Sequence, residues 1–223
     1  MNVTFVFETW HIPDGNYPPL HVGQLVNLSF EVGAQVLKRM WWRGSTMLHH
    51  LGEARYRFVA DLVAVYGGKG LESLAVFDAA GFRFYIQSDR ATQWKPGARV
   101  AGEGMLMVDH YSWVEGLSSF EKPPNLFYVF KVERICHVRI PERFVHRHPA
   151  GKSHPTSLQP GNYEPSFVRE VSTMAGEELD EAFFLVDLCD DETRALSVPK
   201  TFHTGRGSAK QLCQALDRAH KLL

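Results

Sequence analysis

The sequence predicts a mainly β fold, with a small barrel of curled antiparallel strands at its centre and an α+β extension at its C-terminal end. Three observations lead to this prediction. Apolar and polar residues alternate through consecutive segments between residues 55 and 140, a period typical of half-buried strands. Two glycines spaced by two interrupt one of these segments. A proline-rich stretch then separates the strands from a part of the chain that ends in an amphipathic helical pattern.

The length and composition indicate an ordinary globular protein of one or two domains. The chain has 223 residues, of which 44% are hydrophobic and 22% are charged, and this is enough to bury a substantial core. Because the formal net charge is −1, the whole chain lacks the positive field that attracts nucleic acid or anionic lipid. We expect no membrane contact, since no apolar run reaches roughly 20 residues. Three scattered cysteines favour a reducing cytoplasm.

Two strands are predicted before the central segment, at residues 3–8 and 22–32, because both stretches alternate apolar and polar residues. Residues 35–50 fit either a short helix or a strand that ends at a corner formed by Trp42 and Arg43. At such a corner the two side chains offer a stacking surface for a base, a sugar or a partner side chain. A packed core corner is the alternative.

The central segment predicts five strands in a row. Successive strand residues point to opposite faces, so the even positions of the first strand make its apolar face. A short turn that ends in Gly81 suits a hairpin between the second and third strands. The five predicted strands are residues 55–66, 73–78, 82–88, 98–109 and 126–140.

Gly102 and Gly104 lie on the apolar face of the strand predicted at residues 98–109. Glycines leave room where a strand bends sharply or another backbone comes close, as the closure of a small barrel requires. Five strands of this character resemble the oligonucleotide- or oligosaccharide-binding (OB) barrel, or a closely related curled antiparallel sheet. The resemblance is to a fold pattern and not to one protein family, and an open sandwich remains the alternative.

The chain is divided by its composition into a barrel-like domain at residues 1–140, a Pro- and His-rich loop or linker at 141–165, and an α+β extension at 166–223. The extension ends in a predicted helix at residues 208–222, which begins with a capping box and has one apolar stripe. The strands predicted before this helix are residues 167–173, 182–188 and 193–198.

Cationic residues are concentrated at residues 131–152, where Arg134 and Arg139 are the candidate ligand-binding side chains. Such a group can bind a phosphate, a carboxylate or an acidic protein surface. In an unbroken strand Arg134 points to the core face, where its guanidinium needs an anionic partner. The alternatives are an internal pair with Asp61 or Glu103, or a β-bulge that turns Arg134 outward.

Catalytic and metal-binding motifs give a weaker signal. Asp109 and His110 at the end of a predicted strand suit acid–base chemistry, and His146, His148 and His154 offer metal ligands without a recognised spacing. No nucleophile elbow, phosphate loop or dinucleotide fingerprint occurs. We therefore expect no bound cofactor and no metal, and whether the chain is an enzyme stays open.

The function that these features favour is a non-catalytic binding module that contacts a partner protein or a small anionic ligand. The contact surface combines the barrel face with the basic, His-containing loop. One alternative is single-stranded nucleic-acid binding by stacking aromatic residues and arginines. A second alternative is a hydrolase that uses Asp109 and His110. The aromatic and cationic candidates for nucleic acid are Trp42, Trp94, Tyr111, Trp113, Arg134 and Arg139, and those for ligand binding in general are Arg134, Arg139, Trp42, Arg43, Trp113 and Tyr111.

Overall fold

The structure is a computed structural model of the whole chain. It describes residues 1–41, 44–67, 73–88, 93–109, 112–116, 120–140, 145–147, 153–155, 168–180 and 182–189. None of the helices in these ranges is long and apolar enough to cross a bilayer.

The described residues form a mainly β protein, as predicted. The single α-helix, α1, spans Ser112–Gly116, and a 3-10 turn spans Thr9–His11. The strands are β1 Asn2–Glu8, β2 Leu25–Leu28, β3 Phe30–Arg39, β4 Met47–Gly52, β5 Arg55–Tyr66, β6 Leu74–Ala79, β7 Phe82–Gln87, β8 Arg99–Val108, β9 Tyr128–Arg139, β10 Val145–Arg147, β11 Ser153–Pro155, β12 Val168–Val171 and β13 Ala182–Cys189.

Five strands close into a barrel in the order β8–β3–β7–β6–β5 and back to β8. Four of the five pairings are antiparallel, and the fifth joins β3 to β7 in parallel through the pair Glu31 and Tyr85. The predicted curled barrel is therefore confirmed, but its set of strands needs correction. The strand predicted at residues 126–140 is β9, which pairs with β2, β12 and β13 outside the barrel, and β3 is the fifth barrel strand. The assignment of the barrel to the OB type stays a prediction.

The two glycines of β8 provide the room that closure requires. A Cβ atom on Gly102 would overlap the ring of Phe58, and a Cβ on Gly104 would lie 2.6 Å from the carbonyl oxygen of Gly33 on β3. Side chains at these positions would push apart the neighbours that β8 pairs with. The sequence-based reason for a barrel is thus the physical reason found in the structure.

Six strands outside the barrel extend the same sheet, whereas β10 and β11 pair with each other in a separate two-stranded sheet. β2 pairs with β9, β13 lies between β9 and β1, and β1 runs parallel to β8. β12 and β13, which we assigned to the extension, are therefore hydrogen-bonded within the sheet that contains the barrel. The predicted strand at residues 193–198 and the predicted helix at 208–222 lie outside the described residues, as does most of the predicted linker.

Two expectations for residues 22–50 need correction. The strand predicted at residues 22–32 is interrupted at Ser29, whose carbonyl accepts the Asp109 N–H at 3.0 Å, so the chain changes partner from β9 to β8. The helix considered for residues 35–50 is wrong, because β3 continues to Arg39 and β4 begins at Met47. Long-range pairing of β3 with β8 overrides the local preference of a few helix-forming residues.

Candidate functional site

Three of the six predicted ligand-binding residues, Trp42, Arg43 and Tyr111, lie outside the described residues, and so does His110. Trp113 is described, and its side chain is completely buried. It packs against the rings of Tyr66, Tyr85 and Phe120. This burial removes Trp113 from the surface residues that could contact a ligand.

Arg134 points into solvent because β9 contains a bulge. Asp187 of β13 pairs with Arg134 but the next residue pairs with Val132, so Glu133 is the extra residue and the facing of the strand changes there. The Arg134 side chain is 54% exposed, and its Nε donates to Asp187 Oδ2 at 2.6 Å. The core-facing interpretation is therefore wrong, the bulge alternative is right, and the partner is neither Asp61 nor Glu103.

Arg139 also faces a carboxylate. Its guanidinium lies 3.2 Å from Glu178, and both side chains are exposed. Arg169 of β12 contacts Glu177 in the same way. In the described part of the chain, the arginines of β9 thus form pairs with carboxylates of the extension and do not gather around an open anion site.

Asp109 is a buried connector between the barrel and α1. Its carboxylate accepts a hydrogen bond from the hydroxyl of Tyr85 at 2.5 Å, and it accepts hydrogen bonds from the backbone N–H groups of Trp113 and Val114, both at 3.2 Å. The Ser29 hydroxyl lies 3.4 Å away. These contacts occupy both carboxylate oxygens, and the side chain is 0% exposed. The geometry favours a structural role for Asp109 over the acid–base role.

Tyr85 joins Asp109 to Glu31 at the point where the barrel closes. Its hydroxyl lies 2.9 Å from Glu31 Oε2 as well as 2.5 Å from Asp109 Oδ1. Burial, followed by the negative charges of Asp109 and Glu31, raises the pKa of Tyr85 far above the ordinary tyrosine value. Since Glu31 and Tyr85 are also the residues that pair β3 with β7, this cluster reinforces the closure of the barrel.

A second polar region lies on the opposite side of the strands, on what we call the outer face. The outer face is the side of β3, β8, β5 and β4 that points away from the barrel interior. Strand register places its residues in rows across the four strands. One row is Val36, Glu103, Arg57 and His49, and the next is Lys38, Ala101, Val59 and Met47.

The outer face carries more cations than anions. Arg55 donates to Glu103 Oε1 at 2.5 Å, and Arg57 donates to Glu103 Oε2 at 3.2 Å, so two guanidinium groups share one carboxylate. These hydrogen bonds, with that of Arg55 the larger cause, lower the pKa of Glu103. Lys38 is exposed in the neighbouring row. The described residues of this region therefore keep a positive charge that water, salt or an anionic partner must balance.

Exposed apolar side chains adjoin these cations. Val36 and Met47 are 47% and 39% exposed at opposite margins of the outer face. Trp41 lies just after β3, outside the rows of the outer face, and is 88% exposed. The Arg39 guanidinium lies 5.1 Å from the centroid of the Trp41 ring, in cation–π geometry, and Arg39 pairs with the core residue Val100 on the other side of β3. Trp, Met and Arg are the residue types enriched where proteins contact one another.

Sequence reasoning missed the outer face, although the signal was present. The arginines at odd positions of residues 55–66 fall on the polar side of the predicted strand, opposite the apolar face made by the even positions. Only the pairing of β5 with β8 brings both arginines to Glu103. The predicted stacking corner at Trp42 is one residue from Trp41, the most exposed of the large hydrophobic side chains that the structure describes.

In the described ranges, no three His, Cys, Asp or Glu side chains come close enough together to hold a metal ion.

Comparison with known proteins identifies no relative from which a function could be inferred. No protein-family model, curated protein or solved structure matches this chain.

Proposed function

We propose that this chain is a non-catalytic binding module whose outer face binds an acidic segment of a partner protein. The convergence of Arg55 and Arg57 on the single carboxylate of Glu103 carries the proposal. Exposed ion pairs contribute only about 0–1 kcal/mol to stability, so a second arginine at an occupied carboxylate adds little to folding. The same surplus charge attracts an acidic surface and orients it.

The apolar residues at the margins of the outer face supply binding affinity that charge complementarity alone does not provide. Charge complementarity sets the rate and specificity of encounter, whereas affinity depends on a few well-buried apolar or aromatic anchors. Val36 and Met47 are exposed enough to bury further area against a partner. A partner segment that presents carboxylates together with apolar side chains fits this combination.

Nucleic-acid binding is the alternative that the Arg39–Trp41 contact favours, because bases stack on exposed aromatic rings. Its support is reduced by the burial of Trp113 and by the carboxylate partners of Arg134 and Arg139. A hydrolase built on Asp109 is disfavoured by the burial of that side chain. A cytoplasmic location belongs to the same proposal, and its support is the scarcity of cysteine.

Selection of random-sequence peptides on the immobilised protein tests the proposal. We expect the selected peptides to be rich in Asp and Glu with interspersed apolar residues, and their binding to weaken as salt is added. Arg57→Ala should weaken binding by about tenfold, the loss typical of one interface contact. Arg83→Ala is the matched control, since Arg83 lies outside the outer face and forms a partly exposed ion pair with Asp78 at 3.0 Å, so this variant should bind normally.

Two results would contradict the proposal. Selected peptides without an excess of carboxylates would remove the acidic partner. Tighter binding of a fluorescent single-stranded oligonucleotide than of any selected peptide, with the same loss in Arg57→Ala, would instead assign the outer face to nucleic acid.

A further inference from the structure

We infer that the acidic segment binds as an added β-strand along the outer edge of β4. This inference rests on the proposed function and specifies how the partner is held. Extended peptides commonly bind by adding a strand to an open sheet edge, where backbone hydrogen bonds give affinity and alternate side chains give specificity.

β4 is the last strand in the hydrogen-bonded order of the sheet. It pairs with β5 along Met47–Gly52, and no other strand in the described residues pairs with it. The pairing is regular until a register shift between His50 and Gly52. Among the first four residues, those that are not hydrogen-bonded to β5 direct their backbone N–H and C=O groups to the free edge.

Three strands of the sheet, β4, β12 and β2, pair with one neighbour only in the described residues, and they differ in edge protection. β2 has four residues, of which three are buried. β12, at the other end of the order, has only four residues and carries the exposed charges of Arg169 and Glu170. Short length and charge are the usual devices that keep an edge from pairing with another chain. β4 has six residues and contains no Lys, Arg, Asp, Glu or Pro. Within the part of the chain that the structure describes, the sheet edge is thus protected at β12 and unprotected at β4.

Strand alternation predicts which side chains the added segment needs at each position. His49 lies on the outer face in the row of Arg57, whereas Leu48 packs against the barrel core and His50 stacks on Tyr56 on the other side. An added strand lies roughly 10 Å from β5, twice the strand spacing, a gap that Arg57 and a glutamate can close together. Carboxylates therefore belong at alternate positions beside His49, and apolar residues at the positions between.

A synthetic peptide of about eight residues with alternating Glu and Val, the length of an ordinary strand, tests this arrangement on the full-length protein. We expect it to bind and to slow amide hydrogen exchange in residues 47–52 by at least about tenfold, because new backbone hydrogen bonds protect those amides. The Lys–Val peptide is the charge control and should not bind. Arg57→Ala should weaken the Glu–Val peptide, and Arg83→Ala should not.

N-methylation of alternate residues of the peptide distinguishes binding as an added β-strand from binding through side-chain charges alone. It removes backbone donors but keeps every charge, so one of the two alternating patterns should abolish the protection of β4 and weaken binding about tenfold. Equal binding by both N-methylated peptides, or binding without protection at residues 47–52, would overturn strand addition and leave the proposed function standing. Absence of binding by the Glu–Val peptide together with absence of acidic selected peptides would overturn both.

Discussion

Two polar clusters of the described residues differ in the sign of their outer charges and in their environment. Under α1, one tyrosine hydroxyl lies between two carboxylates, Asp109 and Glu31. On the outer face, one carboxylate, that of Glu103, lies between two guanidinium groups. The first cluster is buried, and the second is solvent-accessible.

This difference in exposure decides what each cluster can do. In a buried cluster a lost hydrogen bond leaves a polar group that water cannot reach, and the cost falls on stability. In an exposed cluster water and salt replace any lost contact, so stability changes little and the charge is available to a partner. Buried polar groups that suggest chemistry in the sequence serve folding here, and ordinary surface arginines form the candidate site.

The largest effect on stability is expected from removing the buried carboxylate of Asp109. Asp109→Ala removes the acceptor for two N–H groups at the start of α1 and one of the two acceptors beside the Tyr85 hydroxyl. Because each buried donor left without an acceptor costs about 1–3 kcal/mol, we expect the free energy of unfolding to fall by about 2–6 kcal/mol. Urea titration measures this change. Asp109→Asn keeps an acceptor oxygen and should cost less. A loss within about 0.5 kcal/mol for Asp109→Ala would show that the buried cluster does not support the fold.

Removing the hydroxyl of Tyr85 has an intermediate effect that depends on pH. Tyr85→Phe should cost about 1.5–3 kcal/mol near neutral pH, the range for hydrogen bonds to charged groups. Because the pKa of Tyr85 is raised in the folded state, its proton stabilises the fold below pH about 10 and that stabilisation is lost as the pH rises further. The variant should therefore lose stability less steeply above pH 10, by about 1.4 kcal/mol per pH unit.

Tyr128→Phe is the comparison for this alkaline range. Burial raises the pKa of Tyr128 to about 12, so its contribution should be lost between pH about 10 and 12. The Tyr85 difference should continue beyond that range. Identical alkaline unfolding of the native chain and Tyr85→Phe would contradict the buried environment of this hydroxyl.

The smallest effect on stability is expected on the outer face. Arg57→Ala should change the free energy of unfolding by no more than about 0.5 kcal/mol, although it weakens partner binding. It should raise the pKa of Glu103 toward the ordinary glutamate value, because one of the two hydrogen bonds that lower it is gone. Carboxyl NMR titration measures this shift. A large destabilisation would make Arg57 a structural residue and weaken the binding proposal.

The structural position of a residue could be predicted from the sequence where the contacts that fix it are local. The strand predicted at residues 55–66 coincides with β5, because its alternation is a property of neighbouring residues. The direction of the Arg134 side chain could not be predicted from alternation alone, because a bulge opposite Asp187 reverses the alternation within β9. The sequence indicates that Arg134 requires an anion but not which of the distant carboxylates supplies it.

Alternation and the two spaced glycines determined that this chain forms curled strands around an apolar interior, because the side-chain period of a strand is set by its own backbone. Tertiary structure alone decided that Arg55 and Arg57 meet at Glu103, that Asp109 is enclosed beneath α1, and that β4 ends the sheet. Each of these outcomes depends on which strands pair and in which register, and a one-residue change of register moves every side chain to the other face.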